Sequence, residues 1–195
     1  PNHDMFFQKF SPDIKNWYPF YENNFSQTTT YTYRFNNLSD FDSIWNGLNI
    51  KIKSEIKKAK KNKIKISQSD DIETLIRIIN KNYASKNLDL YKSNLVLKKI
   101  IKTSLEQNSG AVFFAKDKNG TVISGNFIAF DKSCAYYIAG GKDPNLINYG
   151  SSSLCLWEAI KFSAKHSRVF DFEGSMIPSI SRYFRRFGGK QKSIH

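Results

Sequence analysis

The sequence predicts a mixed α/β sheet built as one main domain. Three observations lead there. Apolar and β-branched runs at Gly110–Lys116, Thr121–Phe130 and Ala135–Ala139 are separated only by tight turns, so they read as consecutive antiparallel strands. Two helical patterns precede these strands, and a helix opened by Gly150-Ser151-Ser152-Ser153 follows them, ahead of a further apolar run at Val169–Phe172. With 195 residues the chain suits one substantial core plus extra elements better than two complete domains.

The elements follow in chain order. Residues 1–35 are crowded with rings (Phe6, Phe7, Phe10, Trp17, Tyr18, Phe20, Tyr21 and Phe25 among them) and broken by Pro12 and Pro19, which is too irregular for one long helix. Thr28–Phe35 has the β-branched and aromatic content of a strand. So many rings need something to pack on, either the rest of the chain or a further N-terminal part. Leu48, Ile52, Ile56 and Ala59 recur at helical spacing, and eight lysines lie between positions 51 and 65 against the single acid Glu55. A solvated helix face and a phosphate-contacting surface are both open readings of that run. Ile64 and Ile66 alternate with lysines as in a short strand. Asp70 with Glu73 resembles a capping box, followed by Ile72, Leu75, Ile76, Ile79 and Tyr83 on one helical face. Ser93–Leu105 forms a second helix, and then come the three strands, joined by DKNG at 117–120 and by Asp131–Ser133. The expected order is β-α-α-β-β-β-α-β, with a short helical piece at Ser179–Arg186.

Thirty basic against seventeen acidic residues leave a net charge of +13, which favours anionic partners without choosing among them. Cys134 and Cys155 are the only cysteines, so buried free thiols in a reducing compartment are the simplest reading. No run approaches the roughly 18 consecutive apolar residues of a membrane-spanning helix. The expected localisation is therefore cytoplasmic, either free or peripheral at the inner face of a membrane. His3, His166 and His195 have no ligand spacing, so no metal site and no Ser-His-Asp triad is expected. No lysine follows Gly150, which excludes a Walker loop. The first residue is Pro1, and a fragment of a longer protein is expected.

Three groups of residues carry candidate chemistry. Tyr149, Gly150, Ser151, Ser152 and Ser153 open a helix, where backbone N–H groups and hydroxyls can face an anion; an ordinary N-cap is the bland reading. Asp171 and Glu173 lie two residues apart, on one face of the last predicted strand, and can accept a proton. Asp171 can equally pair with a neighbouring arginine. Arg185 and Arg186 suit phosphates of a donor or an acceptor.

The element order resembles the GNAT N-acyltransferase superfamily. In that fold the loop after the fourth strand holds the coenzyme A pyrophosphate through an Arg/Gln-x-x-Gly-x-Gly/Ala pattern. The matching stretch, Ile147-Asn148-Tyr149-Gly150-Ser151-Ser152, keeps one glycine and lacks the leading Arg or Gln. Asn16–Phe35, Ile52–Lys61, Tyr136–Trp157 and Phe170–Gly188 together look like the FemAB-type, BioF2-like acyltransferases of that superfamily, with Asp-Phe-Glu-Gly-Ser and Phe-Arg-Arg-Phe-Gly the most specific parts.

This resemblance implies an acyl donor at Tyr149–Ser153 and a catalytic tyrosine, Tyr183, that protonates a departing thiolate. It also places Lys86 near where the family often has an arginine for an anionic acceptor. The family's Phe-Lys-x-Gly-Phe-Gly lysine corresponds to Phe184, a departure from its pattern. Residues 1–44 are then expected to be the end of a truncated first GNAT-like domain, with 45–195 as the acyltransferase domain. The implied function is an N-acyltransferase that uses an acyl-CoA and an amine, such as an amino sugar of a cell-envelope polysaccharide. The alternatives are a peptidyltransferase that takes an aminoacyl group from tRNA to a peptidoglycan precursor, and a non-catalytic nucleic-acid or lipid-surface binder built on the lysine helix.

Overall fold

The computed structural model describes residues 6–85, 91–174 and 176–194. Its elements, in order, are α1 (Tyr18–Glu22), β1 (Thr30–Phe35), α2 (Phe41–Gly47), α3 (Ile50–Lys61), β2 (Lys65–Ser69), α4 (Ile72–Ala84), α5 (Tyr91–Glu106), β3 (Gly110–Lys116), β4 (Val122–Phe130), β5 (Cys134–Lys142), α6 (Ser151–Ser163), β6 (Val169–Asp171), α7 (Pro178–Arg186) and β7 (Lys190–Ile194). The strands form one seven-stranded sheet in the order β2-β3-β4-β5-β6-β1-β7. All pairs are antiparallel except β5 with β6.

The sheet is covered on both faces, and the pleat of β3 shows how. Val112 and Phe114 point into a cluster with Leu75, Ile76, Ile78, Ile79 and Ile101 of α4 and α5. Ala111, Phe113 and Ala115 point to the opposite side, where Ile52, Ile56 and Ala59 of α3 meet Leu154, Cys155 and Ile160 of α6. With both faces buried, the apolar run 111–115 has no polar alternation. Ile52, Ile56 and Ala59 of α3 thus turn inward, which leaves Lys57, Lys58, Lys60 and Lys61 exposed.

Two features position the candidate site. Strands β5 and β6 are in register only at Cys134 with Val169, Ala135 with Phe170 and Tyr136 with Asp171. β6 then ends, whereas β5 runs on to Lys142. The sheet therefore opens as a wedge beyond Tyr136. A bulge in the β4–β5 pairing at Phe127/Ile128 adds local twist at the same level.

The second feature is the place of β1. It lies between β6 and β7, with Arg34 opposite Asp171, Phe35 opposite Phe170, and five register pairs to β7. Tyr33, Phe35 and Leu38 share a core cluster with Ile52, Phe170 and Phe172. Thus the boundary expected between residues 44 and 45 does not separate two cores. The elements α1, α2 and β7 were not expected; β7 reads KQKSI, a lysine-bearing edge strand with little apolar signal.

Candidate active site

A cavity of about 530 Å3 opens where β5 and β6 part. Strands β4 and β5 supply Ser124, Asn126 and Tyr137, α6 supplies Ser152 and Ser153, and α7 supplies Ile180, Tyr183 and Phe184. Lys51 and Glu55 of α3 close one side, and Phe172, Glu173 and Gly174 form a rim. Asn126 is almost fully buried here, and its Oδ1 has no hydrogen-bond partner. A buried acceptor of that kind is costly unless a ligand donor meets it.

Three side chains form a chain along one wall. Ser153 Oγ donates to Glu55 Oε2 at 2.5 Å, and Tyr183 OH lies 3.4 Å from the same Ser153 Oγ. Because Ser153 gives its proton to Glu55, Tyr183 is the donor to Ser153. Burial pushes the Tyr183 phenol far above its ordinary value, outweighing the opposing hydrogen bond with Ser153. The phenol is therefore protonated at neutral pH and able to give a proton.

The start of α6 differs from the expected anion cradle. Gly150 is its N-cap, at φ 83°. A Cβ there would lie 2.2 Å from the backbone oxygen of Glu55, so close packing of α3 requires the glycine. Asn148 takes the first donors: its carbonyl accepts from Ser151 N at 2.7 Å and its Oδ1 from Ser152 N at 3.2 Å. Ser151 is buried, with hydroxyl bonds to Asn148 and Ser124. Tyr149 packs on the core. Of Tyr149–Ser153, only Ser152 and Ser153 line the cavity.

The two strand-end carboxylates also part company. Strand β6 ends at Asp171, and Glu173 has φ 58°, so the alternation expected to put both on one face stops. Asp171 is 2% exposed and accepts hydrogen bonds from Thr32 Oγ1, Arg34 Nε and, at 2.7 Å, Glu173 N. It is absent from the cavity lining and locks β6 to β1. Glu173 stands at the rim with its Oε2 3.4 Å from Lys9 Nζ. It also borders a second cavity of about 280 Å3, walled by Phe10, Trp17, Phe20 and Phe25.

Arg185 and Arg186 meet Arg182, Gly47 and Asn49 around a separate pocket of about 410 Å3, and Arg186 lines the main cavity as well. Lys86 lies outside the described residues. A larger groove of about 710 Å3, floored by Leu38, Phe41, Phe113 and Phe162, contains none of the expected site residues. Glu55, Asn126 and Asn148 were missed from sequence. The only signals were that Glu55 is the one acid among eight lysines and that Asn148 sits where an Asx cap precedes a helix.

The acetyltransferase (GNAT) domain family model matches residues 50–185, which include the wedge, α6 and most of α7. The chain belongs to this family. It carries a GNAT acetyltransferase domain, and its mixed sheet is the GNAT-like one expected. Among solved structures, FemX superposes with a TM-score of 0.70 at 11% identity, over 84% of this chain and 60% of that one. The C-terminal domain of a putative lysylphosphatidylglycerol synthetase from Agrobacterium fabrum gives 0.59 at 10%, over 86% and 60%. L-PGS from Bacillus licheniformis gives 0.53 at 5%, over 91% and 63%. At these identities the likeness is one of fold. The GNAT chain spans about 60% of the length of these relatives. No curated protein matches it in sequence.

Proposed function

We propose that this GNAT domain moves an acyl group from a coenzyme A thioester to a primary amine, with an amino sugar of an envelope polysaccharide as one acceptor class. The observation that carries this reading is the wedge cavity, where the half-buried phenol of Tyr183 faces the free side of β5 and the first turn of α6. Asn126 Oδ1 accepts an amide N–H of the donor, which ends its isolation. Ser152 and Ser153 bound the donor beside the helix N-terminus. Arg185 and Arg186 receive a phosphate of the donor or the acceptor. Glu173, exposed at the rim, attracts the acceptor's ammonium, as its contact with Lys9 illustrates. When the amine nitrogen bonds to the carbonyl carbon and the C–S bond breaks, Tyr183 gives its proton to the departing sulfur.

Two further parts of the reading belong with it. The exposed rings of Phe6, Phe7, Tyr18 and Tyr21 support a covering partner for that end, which in our reading is a preceding domain of the same protein. Two buried free cysteines, and no helix among the described residues long and apolar enough to cross a membrane, go with a cytoplasmic place, free or peripheral to the inner face.

A second reading, aminoacyl transfer from tRNA to a peptidoglycan precursor, draws on the exposed Lys57, Lys58, Lys60 and Lys61 of α3. Calorimetric titration of acetyl-CoA and of aminoacyl-tRNA, at two salt concentrations, separates the two. Saturable acetyl-CoA binding that Asn126→Ala weakens supports the first. Steeply salt-dependent tRNA binding that is lost on neutralising the four lysines supports the second. Binding of neither donor sinks both and leaves a non-catalytic binding module.

A further inference from the structure

The amine that attacks must lose a proton, and the sulfur that leaves must gain one. The cavity holds a continuous hydrogen-bonded path with a carboxylate at one end and a phenol at the other. Glu55 Oε2 accepts from Ser153 Oγ at 2.5 Å, and Ser153 Oγ lies 3.4 Å from Tyr183 OH. All three residues line the same cavity. Their positions rest on well-packed backbone: α3 and α6 share a buried core, and Gly150 admits the Glu55 carbonyl against the start of α6. The other carboxylates serve elsewhere, since Asp171 is held by Arg34 and Thr32 and Glu173 is at the exposed rim.

We infer that Glu55 is the base for the attacking amine and that Glu55, Ser153 and Tyr183 form a relay that carries the amine's proton to the leaving sulfur. This rests on the acyl-transfer reading above. The nitrogen forms its bond to the carbonyl carbon, and the Glu55 carboxylate takes one N–H proton. The C–S bond breaks, its electron pair stays on sulfur, and Tyr183 gives its proton there. Ser153 restores the proton of Tyr183, and the proton held by Glu55 restores Ser153. One proton has passed from nitrogen to sulfur, and the three side chains end as they began. The balance starts from the neutral amine: an acceptor that arrives as an ammonium first releases one proton to solvent, and the relay carries the second. Glu173 is thereby an acceptor-binding group and not the base.

The competing role for Glu55 is structural, as a carboxylate anchored by Ser153 near the positive end of α6. The two roles differ in pH dependence. Glu55 shares its cavity with Lys51 on its own helix, Tyr83 of α4, Tyr137 and Lys142 of β5, Arg186 of α7 and Glu173. Only a catalytic carboxylate makes the acid limb of the rate profile depend on position 55.

The test is steady-state thiol release from acetyl-CoA with a primary amine, from pH 5 to 9, for wild type, Glu55→Gln, Glu55→Asp, Ser153→Ala and Glu173→Gln. Acetyl-CoA affinity and melting temperature are measured on the same samples. Glu55→Gln is expected to lower kcat about a hundredfold or more and to remove the acid limb, with donor affinity unchanged. Glu55→Asp is expected to recover part of the rate. Ser153→Ala interrupts the path without removing a charge and is expected to lower kcat, and adding it to Glu55→Gln should cost little more. Glu173→Gln is expected to raise the KM for the amine and to keep the acid limb.

The relay is overturned if Glu55→Gln keeps the wild-type kcat and profile, or if its whole effect lies in donor affinity or melting temperature. If Glu55→Gln does not fold, a Ser153→Ala enzyme with wild-type kcat overturns it equally. An active wild type with an equally active Glu55→Gln removes only the relay. A wild type that releases no thiol removes the acyl-transfer reading itself, and the relay with it.

Discussion

Gly150 is a glycine for the sake of α3. Its φ of 83° and the 2.2 Å approach of a would-be Cβ to the Glu55 carbonyl leave no room for any side chain. Gly150→Ala is therefore expected to destabilise the fold by about 2–4 kcal/mol, combining a left-handed backbone penalty with displacement of a packed helix. A urea unfolding midpoint equal to that of wild type would contradict this. Tyr183 belongs to the same scale. Burial holds its phenol in the neutral form, so Tyr183→Phe removes a proton donor and keeps the ring that packs on Phe187. The expected outcome in a thiol-release assay is a loss in kcat of about a hundredfold with stability nearly unchanged. Glu173 shows what a single dihedral decides. Its positive φ turns the side chain out of the strand pattern to the rim of two cavities.

At the scale of elements, β1 is the strand that joins the aromatic segment to the rest. Arg34 on β1 and Asp171 on β6 are cross-strand partners with side chains 11% and 3% exposed, so the ion pair is almost out of water. Arg34→Ala leaves a buried carboxylate with only the neutral donors Thr32 Oγ1 and Glu173 N and no counter-charge, which is expected to cost about 3–5 kcal/mol. Chemical denaturation measures it, and a loss below about 1 kcal/mol would show that the ion pair does not hold β6 to β1. The helix α3 divides its duties by face. Ile52, Ile56 and Ala59 are buried, Glu55 reaches the cavity, and the later lysines stay in solvent. Replacing Lys57, Lys58 and Lys61 by Gln is accordingly expected to leave acyl transfer to a small amine unchanged while weakening any polyanion binding and flattening its salt dependence. A fall in small-amine kcat would place these lysines in the chemistry instead.

Across the whole molecule, burial of neutral acids sets an alkaline limit. Burial pushes the Cys134 thiol up to about 11, and it also raises Cys155, Tyr137 and Tyr183. A group whose folded value is raised lends stability that is complete below its unfolded value and is lost as pH rises through the folded one. Unfolding free energy is thus expected to be flat near pH 7 and to decline from about pH 8.5, where an unfolded thiol ionises, through about 11 for Cys134. Urea titrations across that range measure it, and constant stability up to pH 11 would show the thiols to be in contact with water.

The order of helices and strands from Ile64 to Arg186, the covered apolar run of β3 and the inward face of α3 were all legible in the sequence. Each depends on periodicity within one segment, and a local pattern records which face an element buries. The helix opened at Gly150 was legible for the same reason, because glycine and serine carry a local backbone and capping signal. Tertiary structure alone decided which donors of that helix are free, since Asn148 satisfies the first of them and α3 claims the space beside Gly150. It alone separated Asp171 from Glu173, through an arginine 137 residues away in sequence. It placed β1 between β6 and β7, and it brought Glu55 to Ser153 across 98 residues. Long-range pairings of this kind leave no period in the chain. They follow from which buried surfaces meet, and that meeting turned one acid in a lysine-rich helix into a group of the candidate active site.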